Sequence, residues 1–145
     1  MILVGVDGSP ASREALRWAL THAARTGDRV EAMMAWRREP GFVAANSPGG
    51  VHPHADIPGH RHPARVLHGI VEEVRATVPD APRVAEVTIV GDAATTLTQA
   101  SRQADLLVVG TNSRGRDAEA VLGSVTEDCL RHASCPVVVV PPNAR

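Results

Sequence analysis

The chain has 145 residues, 43% of them hydrophobic, and a formal net charge of −1. This length and apolar content fit one domain with an ordinary core, and the near-zero charge gives no general attraction to nucleic acids or anionic membranes. The sequence contains no lysine, which excludes Schiff-base chemistry and the phosphate-binding lysine of Walker-type sites.

The N-terminal segment predicts a buried strand followed by a helix. Residues 2–6 form a continuous apolar run, which is typical of a strand buried on both faces. The next residues predict a turn and a helix start, with Ser9 as the cap and Pro10 at the first helical position. Apolar residues then recur at helical spacing until Gly27, which we expect to end the helix.

Strands and helices alternate along the rest of the chain. The predicted strands are residues 30–36, 84–90, 106–109 and 137–140. The predicted helices are residues 64–78, 93 to about 103, and 124–132, with Asp92 as the cap of the second. Continuous apolar strands that alternate with helices indicate a parallel sheet covered on both faces, and right-handed crossovers make it a doubly wound α/β domain.

One segment, residues 37–63, carries five prolines and four glycines and is not predicted to form regular structure. Loops longer than about 12–15 residues are usually functional or disordered. Its histidines at 52, 54, 60 and 62 are spaced so that each pair would lie on one side of an extended chain, a pattern that suits Zn²⁺ or Ni²⁺. The segment has no cysteine, and no carboxylate other than Asp56 lies near these histidines. We therefore expect a solvated loop and no metal.

The cysteines and the apolar runs indicate an ordinary cytoplasmic protein. Cys129 and Cys135 are too few for a disulfide framework and form no CxxC pair, so both are expected to be inert core thiols. We find no apolar segment of transmembrane length and no signal-peptide pattern.

The segment 106–140 is the most informative part of the chain. It predicts a strand ending at Gly110, a loop, a helix starting at Gly123-Ser124, and a final strand. Backbone N–H groups at such a loop and helix start can point at an anion, and a nucleotide phosphate is the obvious one.

Three motifs together resemble the universal stress protein family. They are the N-terminal VGVDGSPASREAL, the Gly110-to-Ser124 loop, and the ending CPVVVVP. The resemblance covers the whole chain apart from the 37–63 insert. It implies a five-stranded sheet in the order 3-2-1-4-5, a homodimer and, in one branch of the family, bound ATP without obvious catalytic machinery. That order places the topological switch between strands 1 and 4, where open α/β sheets bind ligands.

The ATP-binding branch has a glycine, two residues, a second glycine, nine residues, and then Gly-Ser or Gly-Thr. Here the span is kept but Ser113 stands where the second glycine is expected. If that position requires a left-handed backbone, serine costs about 1–2 kcal/mol, or roughly a five- to thirty-fold loss of affinity. Gly115 is able to relax the loop, and Arg114 and Arg116 supply cations near the phosphates.

The resemblance implies an adenine-nucleotide site for ATP, ADP or AMP, with Mg²⁺ as an optional companion. Asp7 and Ala35 would lie near the adenine and ribose, and Gly110, Gly123 and Ser124 near the phosphates and ribose. The full candidate set is Asp7, Gly8, Ser9, Ala35, Gly110, Asn112, Ser113, Gly115, Gly123, Ser124 and Val125. The alternative interpretation is that the glycines only serve turns and that Ser124 only caps its helix.

The sequence lacks the motifs of a hydrolase or ligase, because no GxSxG, HExxH or GxxxxGK[ST] pattern is present. We therefore expect a stress-response regulator that is not an enzyme, with at most very slow ATP hydrolysis. The alternative is a homodimeric stress protein that acts through protein interactions without nucleotide. In either case an apolar edge strand at Val137, Val138, Val139 and Val140 is expected to pair in the dimer.

Overall fold

Five parallel strands form one sheet in the order β3-β2-β1-β4-β5, as the resemblance implied. The structure is a computed structural model that describes residues 1–37, 62–111 and 122–143. Its strands are β1 (Ile2–Gly5), β2 (Val30–Trp36), β3 (Val84–Val90), β4 (Leu106–Gly110) and β5 (Val137–Val140).

Four α-helices of the described residues cover the sheet. They are α1 (Pro10–Thr26), α2 (Pro63–Arg75), α3 (Ala93–Ala100) and α4 (Ser124–His132). None of them combines the length and the apolar character needed to cross a bilayer. The doubly wound α/β fold that the alternation predicted is therefore confirmed.

Alternate side chains of the strands pack into two separate hydrophobic cores, one on each face of the sheet. In β1, Ile2 and Val4 point to one face and pack with Leu16 of α1 and Leu67 of α2. Leu3, between them, points to the other face and packs with Leu97 of α3 and Cys129 of α4. All seven side chains are at most 4% exposed. Both faces of the central strands are thus buried, which explains their continuous apolar sequences.

The start and end of α1 follow the sequence signals. Ser9 has extended backbone angles, and its hydroxyl accepts a hydrogen bond from the amide of Ser12 while Pro10 occupies the first turn. Gly27 ends the helix with φ 83°, a left-handed conformation that favours glycine. The predicted boundaries of this helix are confirmed.

The helix predicted at residues 64–78 is shorter at its C-terminal end than its apolar pattern suggested. It runs from Pro63 to Arg75. The hydroxyl of Thr77 then donates to the carbonyl of Val74 at 2.7 Å, and a turn carries Val78 into the core. The burial of Val78 continued the apolar pattern, although the helix had already ended.

Three other predicted boundaries also shift by a few residues. β1 ends at Gly5 rather than at residue 6, although the amide of Val6 still donates to the carbonyl of Met33 at 2.9 Å. β4 extends by one residue, to Gly110. The helix predicted from 93 to about 103 is α-helical only to Ala100 and tightens into a 3₁₀ turn at Ser101–Gln103.

Candidate functional site

A cavity of about 120 Å³ lies at the carboxyl ends of β1 and β4. We call it the switch-point cavity, because it occupies the point where the strand order reverses. Seven of the predicted site residues line it: Asp7, Ser9, Ala35, Gly110, Gly123, Ser124 and Val125. The sequence motifs on strands 1 and 4 therefore do meet in one crevice.

Eight further residues line the same cavity and were not predicted from sequence. They are Gly5, Val6, Ser12, Met33, Ala93, Leu97, Val109 and Thr126. Most are apolar and form the inner wall, and Met33, Leu97 and Val109 belong to the core shared with α3 and α4. Ala93 and Leu97 come from α3, a helix that carries no motif, so only the fold could identify them.

The turn between β1 and α1 is fixed by its own hydrogen bonds. The amide of Ser9 donates to Oδ1 of Asp7 at 2.9 Å, and the amide of Asp7 donates to the hydroxyl of Ser12 at 3.2 Å. The hydroxyl of Ser12 in turn donates to the carbonyl of Ser9 at 3.1 Å. Asp7 itself is exposed, so its carboxylate stands at the mouth of the cavity in a defined orientation.

Gly8, also predicted as a site residue, is not part of the cavity lining. Its φ of 87° is left-handed, and the tight turn after β1 requires it. Gly8 therefore acts on the site indirectly, by shaping the turn that presents Asp7 and Ser9.

Gly110 has a packing reason to be glycine, which the sequence did not reveal. A Cβ atom at this position would lie 2.6 Å from Cβ of Ala11 and 2.7 Å from its carbonyl carbon. Close packing of α1 on β4 thus excludes a side chain here, whatever ligand the cavity holds. The presence of this glycine is by itself no proof of phosphate binding.

Hydrogen bonds connect the start of α4 to the ends of β4 and β5. The hydroxyl of buried Thr126 donates to the carbonyl of Gly110 at 2.6 Å. The amide of Gly123 donates to the carbonyl of Thr111 at 2.7 Å, and the amide of Thr111 donates to the carbonyl of Val140 at 3.0 Å. The first turn of α4 is consequently held against the carboxyl edge of the sheet.

The start of α4 differs from the starts of α1 and α3. The side chains of Ser9 and Asp92 accept hydrogen bonds from backbone amides and cap their helices. The cap position of α4 is Gly123, and no side chain of the described residues caps this helix. Because the first amides of a helix have no intrahelical acceptor, those at Ser124 and Val125, beside the cavity, can donate to a polar ligand.

Among the described residues, an ion pair lies near the cavity. The backbone amide of Thr95 donates to Asp92, as does its hydroxyl, and with help from Arg37 these contacts hold the pKa of the Asp92 carboxyl below its ordinary value. Arg37 reaches Asp92 at 3.6 Å. This ion pair lies at the start of α3, whose first residue, Ala93, lines the cavity.

Both cysteines are free thiols, as expected. Cys129 is fully buried, and burial, assisted by the charge of Asp128, raises its pKa to about 11. Cys135 is partly exposed, and burial followed by the charge of Asp105 raises its pKa as well. Neither thiol has the lowered pKa of a reactive cysteine.

Several predicted features lie outside the described residues. They include Asn112, Ser113 and Gly115 of the glycine-motif loop, and residues 38–61 of the insert with its histidines at 52, 54 and 60. His62 is described and is an exposed residue at the start of α2.

Comparison with known proteins gives one consistent family. The family model described as "Universal stress protein family" matches residues 1–141. Universal stress protein MT2052 of Mycobacterium tuberculosis is 33% identical over 158 aligned positions, which cover 99% of this chain and 49% of that protein. The chain spans about half the length of the curated relatives it matches.

Solved structures agree on the fold. A crystal structure described as a universal stress protein in complex with cAMP matches with a TM-score of 0.67 and 26% identity, covering 98% of this chain and 96% of that one. A protein from the universal stress protein family of Burkholderia pseudomallei matches with a TM-score of 0.63 and 29% identity, covering 97% and 94%.

Proposed function

The chain belongs to the universal stress protein family, and from that premise we propose that it binds an adenine nucleotide in the switch-point cavity and acts as a stress-response regulator. The observation that carries the proposal is the meeting of an apolar cavity with a helix start that no described side chain caps, at the switch point of the sheet. A structure 26% identical to this chain is described as a complex with cAMP, which supports an adenine nucleotide as the ligand class.

The size of the cavity suits one part of a nucleotide. Sites that enclose a whole drug-sized ligand usually measure about 300–1,000 Å³. At about 120 Å³ this cavity is smaller, so we assign it to the flat base, with the ribose and phosphates nearer its mouth. Met33, Leu97 and Val109 supply apolar contacts for the faces of the ring.

We assign polar recognition of the base and ribose to the residues that follow β1. The carboxylate of Asp7 is exposed at the cavity mouth and accepts hydrogen bonds, so it suits an exocyclic amine or a ribose hydroxyl. Its Oδ1 already receives the amide of Ser9, which fixes the orientation of the group before a ligand arrives.

The phosphates are assigned to the α4 side. Gly123 carries no side chain and Ser124 offers a hydroxyl, and the first amides of α4 combine with the helix dipole to favour an anion. We extend this half of the site to Asn112, Ser113 and Gly115 of the neighbouring loop on the basis of the sequence motif alone. Mg²⁺ would accompany ATP and be held by phosphate oxygens and water, because Asp7, the carboxylate of the described lining, is assigned to the base and ribose.

We propose binding without appreciable turnover. Asp7 is the only titratable carboxylate that lines the cavity, and no His lines it among the described residues. The carboxylate of Asp7 is assigned above to the base and ribose, and not to a water molecule at the phosphates. A general base for water activation therefore has no second candidate in this lining. Phosphate release from ATP above background, abolished by Gly123→Val, would contradict this part of the proposal.

Calorimetry with ATP, ADP, AMP and cAMP on the purified chain, with and without Mg²⁺, tests the binding proposal. We expect saturable heat below millimolar nucleotide. Gly123→Val should weaken binding most, because its side chain would occupy the phosphate position, and Ser124→Ala should weaken it less. Ser134→Ala, an exposed serine outside the cavity, is the matched control and should bind as the parent does.

A folded sample, verified by circular dichroism, that gives no heat at millimolar nucleotide would overturn the proposal and favour the alternative of a stress protein that acts through protein contacts. Equal nucleotide affinity in the parent and both cavity variants would show that the nucleotide binds elsewhere on the molecule.

We further propose that a second copy of the chain pairs through β5. This strand bonds to β4 on one side and is the last strand of the sheet, and Val137, Val138 and Val139 are only partly buried. An apolar edge of this kind favours pairing. Light scattering at micromolar concentration should give twice the 15.3 kDa chain mass, and a mass of one chain would contradict the pairing.

A further inference from the structure

A cluster of three potential metal ligands lies on the outer surface of α2 and β3, away from the switch-point cavity. His68 and Glu72 stand four residues apart on α2, so both side chains are on one face of the helix, one turn apart. Glu86 lies on β3 and is exposed, as are the other two residues. None of the three lines the cavity.

The register of the sheet explains why Glu86 meets this helix. Glu86 is opposite Ala32 of β2, whose side chain is buried in the core shared with α1 and α2. Val84, two residues before Glu86 on the same face of β3, packs against that core. The side chain of Glu86 is therefore on the α2 side of the sheet, at the height of His68.

The distances are those of a ligand set. Nδ1 of His68 lies 3.1 Å from Oε1 and 3.1 Å from Oε2 of Glu86. One ligand atom from each of the three residues can be chosen so that all lie within 4.8 Å of one another. Two donors that each lie about 2.0–2.1 Å from a tetrahedral Zn²⁺ are about 3.3 Å apart, so His68 and Glu86 already have the required separation.

Neighbouring contacts orient the third ligand. Arg75 donates from Nε to the carbonyl of Pro82 at 3.0 Å and from Nη1 to Oε2 of Glu72 at 3.4 Å. Because Arg75 is anchored on the loop before β3, it fixes the carboxylate of Glu72, whose Oε1 is a second donor. Hydrogen bonds that orient a ligating carboxylate in this way are common at metal sites.

We propose that His68, Glu72 and Glu86 bind a divalent cation of the zinc class, with water in the remaining position. An imidazole nitrogen with carboxylate oxygens favours Zn²⁺ or Ni²⁺ over Mg²⁺ and Ca²⁺, which prefer oxygen alone. The two carboxylates supply the negative charge that the cation needs. The bound ion joins α2 to the edge strand β3 and stabilises the folded chain, since it binds the folded state alone.

The experiment is zinc calorimetry on the full chain together with NMR of the histidine ring nitrogens. The chain also carries histidines at 52, 54, 60 and 62, which give a background that every variant shares. We therefore expect the parent to bind one equivalent of Zn²⁺ more than His68→Ala and Glu86→Gln. His132→Ala removes an exposed helical histidine and should keep the parental stoichiometry.

In the NMR titration, Zn²⁺ should shift the Nδ1 resonance of His68 and millimolar Mg²⁺ should leave it unchanged. Equal zinc stoichiometry in the parent and His68→Ala, or a His68 ring that Zn²⁺ does not perturb, would overturn the site. The thermal midpoint of each variant without metal, measured alongside, shows that a lost equivalent is not a loss of fold. Failure of nucleotide binding leaves this result unaffected.

Discussion

The hydroxyl of Thr126 donates a 2.6 Å hydrogen bond to the backbone carbonyl of Gly110, and so joins the first turn of α4 to the carboxyl end of β4. Both residues line the switch-point cavity, and Thr126 is only 3% exposed. The position of the α4 amides relative to the sheet thus depends on one buried side chain that lies two residues beyond the recognisable Gly-Ser motif.

Replacing Thr126 by valine should destabilise the chain and weaken nucleotide binding. Valine keeps the shape but removes the donor, and leaving the partly buried carbonyl of Gly110 without this partner costs up to about 1–3 kcal/mol. Thr126→Ser keeps the hydroxyl and is the matched control, so it should lose less stability. Urea unfolding measures the free energies, and equal values for the two variants would contradict the assigned role of the hydrogen bond.

Replacing Gly110 by alanine should destabilise the fold in the absence of any ligand. The new Cβ would meet Ala11 at 2.6 Å, and overpacking of this kind typically costs about 1–3 kcal/mol. Gly69 is exposed on α2, and a Cβ atom added there would have no atom within 4 Å. Gly69→Ala should therefore stabilise the folded chain by up to about 1 kcal/mol. Thermal or urea unfolding that gave both variants the same sign would refute this packing argument.

The cap of α3 should make part of the stability pH-dependent. The pKa of Asp92 is lowered in the folded chain, chiefly by the hydrogen bonds from Thr95. Its ionised form therefore stabilises the fold above the unfolded pKa of about 3.9, and this contribution is lost as the pH falls through the lower folded value.

Asp92→Asn keeps a capping oxygen but does not titrate, so it isolates this effect. Between pH 7 and pH 3 the parent should lose more stability than the variant, as measured by urea unfolding at each pH. Parallel pH profiles would show that the charge of Asp92 contributes nothing to the cap.

Cys129 should resist alkylation in the native chain. Its thiol is fully buried and its pKa is raised to about 11, so almost no thiolate is present at pH 8. Iodoacetamide at pH 8, followed by peptide mass spectrometry, should modify the partly exposed Cys135 first and Cys129 only after unfolding. Native labelling of Cys129 at the rate found in denaturant would contradict its place in the core.

The strands and most helix starts could be predicted because their signals are local. Apolar runs such as 30–36 and 137–140 coincide with the observed strands, and the caps at Ser9 and Asp92 are the observed caps. The end of α2 was predicted too late, because the burial of Val78 in a turn preserves the helical apolar spacing. Burial depends on tertiary packing. The apolar spacing of a sequence therefore does not show whether a buried residue belongs to a helix or to the turn that follows it.

The sequence motifs predicted the polar part of the cavity lining and left out its apolar part. Asp7, Gly123 and Ser124 follow strands or begin a helix, and such places have recognisable sequences. Met33 and Leu97 resemble any core residue, and only the packing of α3 against β1 and β2 brings them together at the cavity. The cluster of His68 with Glu86 is equally invisible in sequence, because 18 residues separate its two halves.

The glycine at the start of α4 has a consequence for how ligand and fold depend on each other. Helices α1 and α3 carry side-chain caps, whereas no side chain in the described part of the chain caps α4. A nucleotide phosphate would be that missing cap, so the exchange of these amides with deuterium should slow when nucleotide binds. At a hundredfold excess over Kd, binding adds about 2.7 kcal/mol to the stability of the fold. If the proposed site is right, nucleotide concentration would set how often the first turn of α4 opens, and protection of its amides would report how full the site is.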